Sequence, residues 1–282
     1  MDGLSVLVPS SVVREAGHPR EATRKLGTVA RAAAVFRADR LVVFPDREGE
    51  RRFGEAFVRN VLSYAATPPY LRKDVWGQRD ELEYVGVLPP LRVSSRTSAD
   101  PEGPVDREGI VTEVGSEGRV RVNCGLQHPI SLVVPPEMAP PREGERVTVR
   151  ISSREPVRAR LVDEPPPGFD VETADLSDAL ARATGPRIAT SRYGQPVSGR
   201  RLADDLLPQV RNGATVAFGS PGRGLPAILG VDPEAVVAAD GGPVEPNRWF
   251  DLWLNTIPRQ GSEVVRTEEA VWATLSLLSL TE

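Results

Sequence analysis

Ala214-Thr-Val-Ala-Phe218 runs into Gly219-Ser-Pro-Gly-Arg-Gly224, and Phe250-Asp-Leu-Trp-Leu254 runs into Asn255-Thr-Ile-Pro-Arg-Gln-Gly-Ser262. Each is a short apolar strand opening into a loop that holds Gly and Pro, and a helix-like run over residues 267–280 follows the second. In open α/β sheets ligands bind outside the carboxyl ends of the strands, so two such loops can meet at one sheet edge. Glycines there let backbone N–H and C=O groups approach a ligand with no Cβ between them. The first loop lacks the Lys-Ser/Thr pair that holds phosphate and magnesium in a Walker A loop. Its glycines also miss the G-x-G-x-x-G spacing of dinucleotide folds. Either loop taken singly is equally an ordinary strand-to-helix turn.

The 282 residues suffice for one large domain, or one domain with a small insert. No apolar run approaches the roughly 20 residues of a membrane span, and Leu4-Ser-Val-Leu-Val-Pro9 is too short for a signal peptide. The single cysteine, Cys124, excludes an internal disulfide framework and fits a cytoplasmic protein. It reads as a small buried strand residue. His18 and His128 lie far apart with no second cysteine, so no metal site is expected. Net charge is −4, which excludes a uniformly basic nucleic-acid binder, but the sign is uneven. Residues 1–92 carry 15 basic and 12 acidic side chains, whereas residues 166–282 carry 10 and 15. An RNA partner would therefore be met by local patches, mostly of arginine, since only Lys25 and Lys73 are lysine.

Three segments follow from the patterning. Residues 1–93 alternate strand and helix, with strands at 4–8 and 41–44 and helices at 23–36 and 55–64. Residues 94–165 give five short β-rich runs between Gly, Pro and charged turns, the signature of a small barrel. Stretches 94–104 and 163–168 read as hinges. Residues 166–282 resume the α/β alternation and end in the two ligand loops. An α/β domain that pauses for a barrel and then resumes is an inserted-domain architecture.

The loop Phe218-Gly-Ser-Pro-Gly-Arg-Gly-Leu225 and the stretch Asn255-Thr-Ile-Pro-Arg-Gln-Gly-Ser-Glu-Val-Val-Arg-Thr-Glu-Glu-Ala270 resemble the cofactor half of the SPOUT-class RNA methyltransferases. Lys25-Leu-Gly-Thr-Val-Ala-Arg-Ala-Ala-Ala-Val-Phe36 is similar to their first motif. Thr67-Pro-Pro-Tyr-Leu-Arg-Lys73, Leu82-Glu-Tyr-Val-Gly-Val-Leu88, Arg107-Glu-Gly-Ile-Val111 and Val122-Asn-Cys-Gly125 match the archaeal and eukaryotic subfamily with an inserted OB-like RNA-binding barrel. The resemblance implies a parallel-sheet α/β fold tied in a trefoil knot, an exception to the usual rule against threaded connections. It also implies S-adenosylmethionine as cofactor, ribosomal or other structured RNA as substrate, and a homodimer packed through the terminal helix and the helix at 23–36. The terminal helix, apolar at Val271, Trp272, Leu275 and Leu278, suggests the same interface.

That cofactor has no phosphate, and needs backbone partners for its adenine edge and an apolar wall for its face. Leu225, Ile257 and Val264 are candidates for the wall, while Gly219, Gly222 and Gly224 bring main chain close. Phe218, Ser220, Asn255, Thr256, Pro258, Gln260, Gly261, Ser262, Thr267 and Ala270 complete the expected cofactor residues. Arg31 stands at the first-motif arginine, where a guanidinium can hold charge developing on the nucleophile. Glu268 and Glu269 suit the positive end of the terminal helix dipole, with Thr267 as cap; alternatively one of them, with Glu268 the catalytic candidate, faces the substrate base or the sulfonium. Arg24 and Lys25 are candidates for phosphate contact, as are Arg119, Arg121, Arg150, Arg158 and Arg160 in the insert. Few aromatic residues accompany those arginines, so RNA there would be met by phosphate and shape. The chain departs from the ribose-methylating branch at Lys25, Arg266 and Glu268, which favours a base nitrogen, with uridine N3 suggested by the subfamily. Three alternatives stay open: a ribose 2′-O-methyltransferase, a non-catalytic RNA-binding or ribosome-assembly protein on the same scaffold, and a nucleotide-binding enzyme.

Overall fold

A computed structural model of the chain describes residues 3–93, 103–245 and 248–280. The chain divides into two compact units, one of Met1–Ala66, Asp80–Leu91 and Phe169–Glu282, the other of Thr67–Arg79 and Arg92–Gly168. The first of the two hinges expected from sequence lies largely outside the described residues. The strands in chain order are β1 (Leu4–Pro9), β2 (Arg40–Phe44), β3 (Val105–Val114), β4 (Arg119–Asn123), β5 (Ile130–Val133), β6 (Arg146–Arg154), β7 (Val157–Val162), β8 (Asp170–Thr173), β9 (Arg187–Pro196), β10 (Ala214–Ala217) and β11 (Leu252–Asn255).

The first unit is built on a six-stranded sheet in the order β11-β9-β10-β1-β2-β8, with every pairing parallel. Its central strands are largely apolar because both faces are covered: all six residues of β1 and all four of β10 are buried, Ser5 and Thr215 among them. Leu7, Val42, Phe44, Ala189, Ala217, Phe250 and Trp253 share one core cluster. Helix Pro19–Val35 starts where His18 Nδ1 accepts from the Arg20 N–H and Pro19 supplies a pre-set φ. It stops before Arg37, which turns the chain at φ +54°. Helix Thr267–Leu278 packs on it, with the Trp272 ring edge-on to Phe36 and Trp272 Nε1–H donating to Thr28 O at 3.3 Å. Val271, Leu275 and Leu278 are buried within the single chain, so most of the apolar face that suggested a dimer interface is already covered. No helix among the described residues is long and apolar enough to cross a membrane.

The second unit is a five-stranded antiparallel sheet in the order β5-β4-β3-β6-β7. Alternate residues Val120 and Val122, and Val147, Val149 and Ile151, turn inward with Val111, Leu132 and Leu161 to form its own core. The ladder is open between β5 and β7, so hydrogen bonds do not close the sheet on itself. Gly109 lies where β3 passes from β6 to β4, and a Cβ there would sit 2.4 Å from Val122 Cγ1. Residues 67–79, which the sequence reading assigned to the N-terminal segment, pack with this sheet. Tyr70 Oη donates to Glu108 O at 2.9 Å, the Arg107 guanidinium lies 5.0 Å from the Tyr70 ring, and Asn123 Nδ2 donates to Asp74 Oδ2 at 2.6 Å. Burial pushes the Tyr70 phenol up to about 12.

Separate cores predict separable damage. Leu161→Ala removes a side chain that is 1% exposed, and should cost about 2–5 kcal/mol. In hydrogen exchange the loss of protection should fall on residues 105–162. Equal loss in β1 and β10 would show that the two cores are not independent.

Candidate active site at the carboxyl ends of three parallel strands

The carboxyl ends of β9, β10 and β11 surround a cavity of about 270 Å³. After β10 the chain makes a tight turn, Ser220 N–H to Arg223 O at 2.9 Å and Arg223 N–H to Ser220 O at 3.0 Å. Pro221 and Gly222 are its central residues, and Gly222 adopts φ +67°, the conformation that favours glycine at that turn position. A Cβ on Gly222 would meet nothing within 4 Å, so its requirement is conformational. Gly219 is different. A Cβ there would lie 2.7 Å from both Gly224 Cα and Leu225 N, so the loop can close only on a bare backbone.

Arg223 is fixed by the segment that follows β2. Its Nε donates to both oxygens of Asp46, at 3.1 and 3.2 Å, and its Nη2 donates to Glu48 Oε2 at 3.1 Å. Asp46 is 5% exposed and also accepts from Ser11 Oγ at 2.5 Å, while Ser11 Oγ lies 2.9 Å from Ser220 Oγ. The ends of β1, β2 and β10 are thereby joined through one buried carboxylate.

The second loop is ordered by Asn255, whose Oδ1 accepts from Ile257 N–H and whose Nδ2 donates to Arg192 O, each at 3.0 Å. Thr256 Oγ1 is 2.8 Å from Thr274 Oγ1, and Thr267 Oγ1 donates to Gly219 O at 2.8 Å. The terminal helix thus begins against the first loop. Glu269 Oε2, rather than Thr267, caps it by accepting from Arg266 N–H at 2.9 Å.

Of the residues expected from sequence, Phe218, Gly219, Ser220, Gly222 and Gly224 line the cavity from the first loop. Asn255, Thr256, Ile257, Gln260 and Val264 line it from the second, with Thr267 and Ala270 from the terminal helix. Leu225, Pro258, Gly261 and Ser262 do not line it. Leu225 is 0% exposed in the core beneath the loop, and Pro258, Gly261 and Ser262 are exposed on the outer side of theirs.

Sequence reasoning missed the wall made by Thr190, Ser191, Arg192 and Tyr193. The pairing of β9 with β11 jumps from Ala189↔Trp253 to Gln195↔Leu254, so residues 190–194 leave the ladder as a large bulge beside the cavity. Gly194 permits the return, since a Cβ would lie 2.7 Å from Leu254 N and C. The signal available was a polar run, Thr190-Ser-Arg-Tyr, directly after a strand at the ligand edge.

The expected catalytic and RNA-contacting residues lie elsewhere. Arg31 donates through Nη1 to the carbonyls of Pro90 and Leu91 and is not among the cavity-lining residues. Lys25 is 4% exposed and paired with Glu15, with Glu21 at 3.5 Å, so it is not available to phosphate; three carboxylates nearby, Glu268 included, draw it inward. Arg24 is exposed. Arg150 is bound to Asp106 at 2.8 Å and Glu164 at 2.7 Å, which removes it from the free arginines of the insert. Arg121 pairs loosely with Glu113 at 3.5 Å, whereas Arg119, Arg158 and Arg160 are exposed and have no carboxylate partner among the described residues. Glu268 is 8% exposed, and burial holds its carboxyl above the ordinary range against its own backbone N–H and the Lys25 charge. No group of three or more His, Cys, Asp and Glu side chains among the described residues could hold a metal ion.

With this geometry in place, comparison with known proteins gives the family. Residues 3–278 match the family described as "Putative RNA methyltransferase", and the chain belongs to it. An uncharacterized protein of Halobacterium salinarum is 65% identical over 282 residues, covering 99% of each chain. The 28S rRNA (uridine-N(3))-methyltransferase of Homo sapiens is 32% identical over 306 residues, covering 98% of this chain and 77% of its own. The mouse enzyme of the same name is 31% identical, covering 98% and 75%. By family the chain is an enzyme of the RNA methyltransferase class.

Two outcomes follow from the local geometry. Gly222→Ala should cost about 1–2 kcal/mol of stability for its left-handed backbone, whereas Gly219→Ala should cost more because backbone must move. Urea unfolding of both variants checks the order. A carboxyl whose folded pKa is raised adds stability below its unfolded value, 4.5 for Glu268, and loses it as pH rises through the folded value. Glu268→Gln should therefore lose less stability than wild type between pH 4.5 and neutrality, measured by unfolding across that range.

Proposed function

We propose that this chain is an S-adenosylmethionine-dependent methyltransferase acting on a base nitrogen, uridine N3, of ribosomal RNA. The observation that carries the cofactor reading is the cavity at the ends of β9, β10 and β11. The ligand fits what is there: glycine backbone at the first loop, main-chain groups at Asn255–Ile257, and the apolar side chains of Ile257, Val264 and Phe218. When bound, the cofactor supplies an electrophilic methyl group on a sulfonium. The chain's own part is to exclude water, align the acceptor and stabilise charge that develops on it. Uridine N3 is supported by the names of the human and mouse relatives and by Lys25, Arg266 and Glu268 standing where the ribose-methylating branch differs.

The finer architecture belongs to the same proposal. The last segment threads beneath the connection after β10 as a trefoil knot, a reading supported by Thr267 reaching back to Gly219. The insert is an OB-like barrel that takes RNA phosphate on Arg119, Arg158 and Arg160. The protein works in the cytoplasm as a homodimer, which rests on the SPOUT resemblance now that the apolar face of the terminal helix is used internally. In that dimer Arg31 serves the partner's cavity, and Glu268 lies at the base of the helix that follows the knot.

Arg31→Ala should lower methyl transfer about 10²–10³-fold with little change in affinity for S-adenosylhomocysteine, because the interaction exists only in the transition state. Parallel loss of affinity and turnover would make Arg31 structural. Nucleoside mass spectrometry of ribosomal RNA from a deletion strain tests the substrate. Loss of 3-methyluridine is expected; an unchanged nucleoside profile would favour a non-catalytic ribosome-assembly role.

A further inference from the structure

The cavity lining contains three charged side chains, Arg192, Arg223 and Glu263. Arg223 is committed to Asp46 and Glu48 at 3.1 Å each. Arg192 has no carboxylate partner among the described residues: its Nη2 donates to Tyr193 Oη at 2.8 Å and its guanidinium carbon lies 4.9 Å from the Tyr193 ring centroid. Glu263 is exposed and forms no ion pair among the described residues. The lining thus offers one guanidinium and one carboxylate that are not paired with opposite charge.

The bulge that carries Arg192 is held from several sides. Asn255 Nδ2 donates to Arg192 O, Thr190 Oγ1 donates to Ala217 O at 2.9 Å, and Tyr193 N–H donates to Ser191 Oγ at 3.2 Å. In a regular strand neighbouring side chains point to opposite faces. Leaving the ladder at residues 190–194 lets Arg192 and Tyr193 share one side, where the ring and phenol orient the guanidinium.

We infer that Arg192 and Glu263 form a clamp for a free amino-acid group, with Arg192 receiving the carboxylate and Glu263 the ammonium. This rests on the cofactor reading above and adds that the bound ligand is selected by its amino-acid tail. A guanidinium presents paired donors that match a carboxylate, and such charge-assisted bonds are stronger than neutral ones. Adenine and ribose carry no charge and the sulfonium is a cation that could meet only Glu263, so the zwitterionic tail is the part of the ligand that matches both.

Calorimetric titration with S-adenosylhomocysteine and with methylthioadenosine, which lacks the tail, tests the clamp. Arg192→Gln should weaken S-adenosylhomocysteine about 10- to 100-fold and leave methylthioadenosine within about twofold. Arg192→Lys should recover part of the loss, and Glu263→Gln should show the same selectivity for the tail. Arg192 and Glu263 are exposed, so the variants are expected to fold, and unfolding midpoints verify it. An equal loss for both ligands would assign the bulge a purely structural role and overturn the clamp. So would wild-type protein that binds the two ligands equally well, although the cofactor reading would survive. Wild-type protein that binds neither ligand would overturn both.

Discussion

The site depends on one close approach. Gly219 lies so near Gly224 and Leu225 that a methyl group would not fit between them, and its carbonyl receives the Thr267 hydroxyl. Strand β10, the turn after it, the helix Leu225–Leu229 and the terminal helix therefore converge on one residue. Backbone without a side chain is what allows the start of the helix Leu225–Leu229 to pass within contact distance of the end of β10 there. Once they do, the amides and carbonyls of the loop are brought to the edge of the cavity, and the remaining walls are added by the neighbouring strands.

The charged network around that point holds the loops in place. Asp46 is nearly buried, and an isolated carboxylate there would be costly. It is matched by Arg223 Nε–H, shared between both of its oxygens, and by the Ser11 hydroxyl, which ties the ends of β1 and β2 to the first loop. On the other flank, Lys25, Glu15 and Glu21 lie next to Glu268 at the start of the terminal helix. Removing one member of either group would leave its partners desolvated. Both clusters join segments far apart in sequence, which gives the two ligand loops a common rigid support.

Much of this was legible in the chain before folding. The apolar runs at Leu4, Arg40, Ala214 and Leu252 become parallel strands because strands covered on both faces need no polar alternation. The Gly and Pro residues after β10 and β11 mark the cavity for the same reason that they permit close approach. The bulge at residues 190–194 was not legible, because it is set by the register of β9 against β11 and by the absence of room at Gly194, which a single strand does not display. The burial of Lys25 was hidden too: its helix gives it a solvated-looking neighbourhood, and only the packing of Glu15 and the terminal helix draws it inward. Residues 67–79 carry short mixed patterns with no period of their own, and their association with the antiparallel sheet comes from Tyr70, Asp74 and Thr67 finding partners on β3, β4 and β6.

Hydrogen exchange of the wild-type protein with and without S-adenosylhomocysteine tests the central claim, that the methyl donor lies between the ends of β9, β10 and β11. Ligand should slow exchange at amides in residues 190–194, 219–225 and 255–262. Protection confined to other parts of the parallel-sheet unit, with these three segments unchanged, would contradict the account.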